Sequence, residues 1–96
     1  MQYPITPRPG GVASALDVSA AAVVKATPGT LYRVSVITAG TAPGSVYDST
    51  STTGNAASSE IAVIPNTVGI YLLEWPCVNG IVVAPGAGQV VSVSYA

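Results

Sequence analysis

From residue 31 the chain alternates. Leu31, Arg33, Ser35 and Ile37 interleave with Tyr32, Val34, Val36 and Thr38, the two-residue period of a strand with one buried and one open face. The Tyr32 set is the more apolar, so it is the row expected to face the core, with Arg33 turned to solvent or to a neighbouring subunit. The same period returns at the end of the chain, where Val91, Val93 and Tyr95 oppose Val90, Ser92 and Ser94. Between and before these lie "AAVVKA", "EIAVIP", "GIYLLEWPCV" and "GIVVA", short runs rich in β-branched residues that fit a pleated surface.

Breakers punctuate these runs. Pro28-Gly29 predicts a type II turn, and Asn79-Gly80 between apolar runs predicts a hairpin, because both residue types tolerate positive φ. Pro65-Asn66 and Pro85-Gly86-Ala87-Gly88 mark two further turns. Pro76 interrupts the longest run, so that strand should bend, bulge or lie at a sheet edge. Together the pattern predicts an all-β fold, a small antiparallel sandwich or barrel of about seven short strands occupying residues 20–96.

Residues 1–19 read differently. Pro4, Pro7 and Pro9 in "MQYPITPRPGG" remove backbone donors and push the residues before them toward extended geometry. An extended Pro-rich N-terminal arm is expected there, either frayed or ordered by lying on a neighbour. "VASALD" has the length for one helical turn, though no cap or 3.6-residue period argues for it. The Ser, Thr and Gly-rich stretch at residues 49–59 suits either a contact loop that orders on a partner or a mobile tip.

Composition narrows the function. Three basic and four acidic residues give a net charge of −1, and only 7% of the 96 residues are charged, against roughly 25% in ordinary soluble domains. Nucleic-acid binding needs more Lys and Arg than this chain has, and so little charge gives weak protection against association. Cys77 stands alone, so no internal disulfide can form, and a small buried apolar role suits it. There is no His, and Asp17, Asp48, Glu60 and Glu74 are scattered, without the spacing of a zinc site. Asp48 with Ser49 and Thr50 offers oxygens to calcium, but a turn in which Asp48 bonds nearby backbone is the simpler reading. No metal and no cofactor are expected.

Catalysis finds no footing either. Serines are plentiful, but no His is present to activate one and nothing in the sequence supports Lys25 as a base. Glu60 and Glu74 would be the pair for glycoside chemistry, which needs two carboxylates in fixed apposition. Gly10-Gly11 and Gly86 with Gly88 lack the strand-to-helix context and Lys of a phosphate loop. The protein is not expected to be an enzyme. No basic leader with an apolar core is visible, and "VSAAAVV" is too short to span a membrane, so synthesis in a cytoplasm without a membrane anchor is expected. A domain this small buries only about 60 to 65% of its unfolded surface. With disulfide and metal set aside, oligomerisation is the support left to it.

The segments "VVKATPGTLYRVSVITAGTAPGSVYD" and "IAVIPNTVGIYLLEWPCVNGIVVAPGAGQVVSVSY" together cover most of residues 23–95. They resemble the small β-rich virion structural proteins of tailed bacteriophages, above all capsid decoration (cement) proteins. The resemblance implies a protein on the capsid surface of the virion that binds the assembled shell, often as a homotrimer, and bridges capsomers. Its implied partners are the major capsid protein and copies of itself, with no nucleic acid and no membrane. Interface positions expected on this reading are Tyr3, Ile5 and Arg8 in the arm, with Arg33, Tyr47 and Trp75 in the body. The alternative is a tail-fibre or tail-tip module for host-surface recognition, in which Tyr47 and Trp75 would line a concave site beside the polar loop. Aromatic rings of this kind also sit in cores and interfaces.

Overall fold

The computed structural model describes residues 13–96. Eight strands follow one another: β1 (Ala13–Val18), β2 (Ala22–Lys25), β3 (Gly29–Thr38), β4 (Gly44–Tyr47), β5 (Glu60–Ile64), β6 (Gly69–Cys77), β7 (Ile81–Ala84) and β8 (Val90–Tyr95). They form two four-stranded sheets, β1-β8-β3-β6 and β2-β7-β4-β5, antiparallel at every pairing. Each connection except β4 to β5 passes from one sheet to the other. Two four-stranded sheets joined this way have the connectivity of a jelly roll.

The eighth strand comes from the stretch assigned to the arm. Ala13, Ser14 and Ala15 pair with Tyr95, Ser94 and Val93 of β8, and Val18 pairs with Val91 and is buried. These small residues carry no alternation of their own, and β8 supplies the template that makes them a strand rather than a helical turn. The β-domain thus includes residues 13–19. Tyr3, Ile5 and Arg8 lie outside the described residues.

Aliphatic side chains from both sheets make the core: Val18, Leu31, Val34, Val36, Val46, Ile64, Ile81, Val83, Val91 and Val93, together with Cys77. In β8 the expected row of Val91 and Val93 is buried. In β3 the expectation holds for Val34 and Val36 but fails at Leu31, which is fully buried although it belongs to the other alternation set, at Tyr32, which is only half-buried, and at Thr38, which is exposed. The register explains the first. Leu31 and Arg33 face the adjacent residues Tyr95 and Ser94 on β8, so Tyr32 is an extra residue that shifts the phase.

The expected turns also change character. β2 and β3 lie in different sheets, as do β6 and β7, so Pro28-Gly29 and Asn79-Gly80 are crossovers and not hairpins. None of Gly29, Asn79 and Gly80 has a positive φ. Gly80 is needed for space, since a Cβ there would come 2.6 Å from the Ser49 carbonyl oxygen and 2.7 Å from that of Lys25. Pro76 behaves as expected, on edge strand β6 beside an irregular pairing.

Side-chain polar groups tie the crossovers together. Gln89 is fully buried; its Oε1 accepts from the Gly86 N–H at 3.1 Å and its Nε2 donates to the Pro65 carbonyl at 3.0 Å. Asn66 pairs with the Gly40 backbone in both directions, accepting from its N–H and donating to its carbonyl at 2.7 Å each. The β3–β4, β5–β6 and β7–β8 connections are thereby fastened at one end of the sandwich.

Candidate interaction surface

Alternation along β8, and along β3 from Arg33 to Ile37, puts serines on the outer face of the first sheet, and the neighbouring strands extend those positions into rows. Ser14 of β1 pairs with Ser94, Ser94 with Arg33, and Arg33 with Leu72 of β6. In the next row Ser92 pairs with Ser35 and Ser35 with Ile70, while Leu16 occupies the irregular stretch of β1 between the Ala15 and Val18 pairings. Serines are short and the flanking aliphatics are long. The result is a shallow, open depression of about 210 Å³ lined by Ser14, Leu16, Arg33, Ser35, Ile70, Ser92, Val93 and Ser94.

Its rim is unusually apolar for an exposed surface. Leu16 and Ile70 are each 72% exposed, Leu72 61% and Ile37 55%. Exposed aliphatic clusters of a few hundred Å² mark interaction sites more often than isolated exposed residues do. The Ser94 hydroxyl is buried without a hydrogen-bond partner, a cost that a polar group bears unless something satisfies it. Arg33, the one candidate residue that lines this depression, has an exposed side chain at its middle, as its position in the alternation predicted.

The other candidates are elsewhere. Tyr47 belongs to β4 in the second sheet, half-buried, with Val82 and Glu60 as its register partners. Trp75 is on β6 opposite core residue Leu31, yet 49% exposed because β6 is an edge strand. Tyr47 and Trp75 therefore sit on different sheets, and neither lines the depression. Glu60 and Glu74 are likewise on edge strands of different sheets.

Asp48 follows β4 and fastens the opposite end of the sandwich. Its carboxylate accepts from the N–H groups of Val78 at 3.1 Å, Asn79 at 2.8 Å and Gly80 at 3.3 Å. Desolvation pushes its pKa up, but the Asn79, Val78 and Gly80 donors together outweigh it and hold the value below the ordinary one. With both oxygens aimed at N–H donors, the carboxylate bonds backbone as expected, although across some thirty residues and not within its own turn. Among the described residues no three His, Cys, Asp or Glu side chains come together. Cys77 is buried as expected. Desolvation, followed by the nearby Asp48 charge, raises its pKa to about 11, which keeps it a thiol and chemically quiet at neutral pH.

The depression was only partly legible in the sequence. The alternation in β8 and β3 set out the serines, but the apolar rim required knowing that β1 and β6 flank them. A comparison with protein-family models, curated proteins and solved structures finds no match.

Proposed function

We propose that the chain is a structural protein of a tailed-phage virion, a capsid decoration protein that binds the outside of the assembled shell and bridges its capsomers. The observation that carries this reading is the serine-floored, aliphatic-rimmed face of the first sheet, presented by a sandwich fastened at both ends by Asp48, Asn66 and Gln89. A rigid body with a sparsely charged contact face suits binding without chemistry. The fold is compatible with this role, since jelly rolls serve as viral capsid and lectin domains, although a fold does not by itself decide a function.

The mechanism is linkage. A protein that binds the assembled lattice and not its dissociated subunits stabilises the lattice by its binding free energy. Its partners are then the major capsid protein and further copies of itself, and its location is the capsid surface. The test is the copy number of this polypeptide relative to the major capsid protein, by quantitative mass spectrometry of particles separated into heads and tails. The expected result is a number comparable to the capsid subunits, in the head fraction. A few copies confined to tails would overturn the proposal in favour of a tail-fibre or tail-tip module.

A further inference from the structure

The geometry points to a twofold self-association of the chain in solution through the outer face of the first sheet, the face on which the proposed shell contact also rests, so that a copy bound to the shell would give up its partner there. The occupant is chosen by the order of residues across that face. The second row runs Leu16, Ser92, Ser35, Ile70 from β1 to β6, an aliphatic, two serines and an aliphatic. Reversed, it reads the same. A surface whose pattern survives reversal is self-complementary under a twofold axis, the symmetry most homo-oligomers use.

Place that axis between β8 and β3, parallel to the strands and in the plane of contact. β8 of one copy then lies over β3 of the other, and β1 over β6. Leu16 meets Ile70 rim to rim, and Ser92 lies across from Ser35 over the space between the two floors. In the first row Ser14 lies across from Leu72 and Arg33 across from Ser94. Beyond the serines Val90, next to the irregular pairing of Thr38, comes over Ile37. The two Arg33 side chains avoid one another, so the sole charge lining the depression does not oppose its own image.

Area agrees with pattern. The four aliphatics, 55 to 72% exposed, present on the order of 300 to 400 Å² of apolar surface. With the serines included, two copies would cover about 1,000 Å² in total, the lower bound of specific interfaces. Twisted sheets pack face to face at about −30°, which keeps the rows near the axis in contact.

The full chain tests this by sedimentation equilibrium over a concentration series. The expected species is twice the 9.5 kDa chain. Leu16→Glu alone and Ile70→Lys alone should each weaken association by about 100-fold or more, because each homodimer would bury two unpaired charges. An equimolar mixture of the two variants should recover the dimer, since Glu at 16 then faces Lys at 70 on one side of the axis and Ile70 faces Leu16 on the other. Circular dichroism checks that both variants fold, as expected for exposed positions. A wild-type monomer at millimolar concentration, a trimer, dimers untouched by either substitution, or a mixture that stays monomeric would each overturn the inference.

Discussion

Asp48 ties two distant parts of the chain together with one carboxylate. Three backbone N–H groups of the β6–β7 crossover point at its carboxylate, so its charge stabilises a segment that has no strand partner at that point. Because its folded pKa is lowered from 3.8, the stabilisation is present above about that pH and is lost as pH falls through the folded value. Replacing Asp48 with Asn keeps the shape and removes the charge. The variant should lose about 1 to 2 kcal/mol at pH 7, a figure discounted for solvent screening of a half-buried carboxylate, and should show a flatter decline in stability toward acid. Urea titrations from pH 7 down to pH 2.5 would measure both; superimposable acid limbs would show that the clamp carries no weight. The sequence placed Asp48 in a turn that bonds backbone. That its donors lie some thirty residues further on could not be read, because the β4 end and the β6–β7 crossover meet only once the sheets are stacked.

At the scale of the element, irregular pairing decides which side chains are seen. β8 keeps strict alternation, and its buried and open rows were legible from residue 90 onward. β3 breaks alternation at Tyr32, and β6 answers with an extra residue of its own, since Leu31 pairs with Trp75 but Arg33 with Leu72. Glu74 falls in that gap with φ 50, and Asp17 occupies the corresponding irregularity of β1 with φ 55. Both are left-handed conformations that cost a residue with a Cβ about 1 kcal/mol. Glu74→Gly should therefore be neutral or stabilising by up to about 1 kcal/mol, whereas Glu74→Val should cost about 1 to 2 kcal/mol, because a β-branched side chain suits that conformation least. Thermal unfolding of the pair checks this, and equal melting temperatures would refute it. No local pattern announces these residues. A bulge is a property of two strands, and its place is set by the register of the neighbour.

For the whole molecule, connectivity governs how the chain reaches its fold. The first described strand pairs with the last, β3 pairs with β6 and β8, and β2 pairs with β7, so almost every sheet contact closes a long loop. Loop closure must come before those contacts contribute. Folding should accordingly be slow for so short a chain, on the order of milliseconds to seconds, in stopped-flow refolding followed by Trp75 fluorescence; microsecond folding would contradict the topology. The same connectivity turned the expected Asn79-Gly80 hairpin and the expected Pro28-Gly29 turn into crossovers, because both pairs are compatible with several backbone paths. Which path is taken depends on where the next strand finds its partner.

Residue type and period by themselves determined the all-β class, the runs that became six of the eight strands, the serine row of β8, the quiet buried Cys77 and the sparse charge. These follow from local preference and from the requirement that apolar side chains leave water. The pairing of β1 with β8, the reach of Asp48, the phase shift at Tyr32 and the apolar rim around the serines were decided only in the tertiary structure. Each of those depends on residues distant in sequence, brought together when two sheets closed on one valine-rich core.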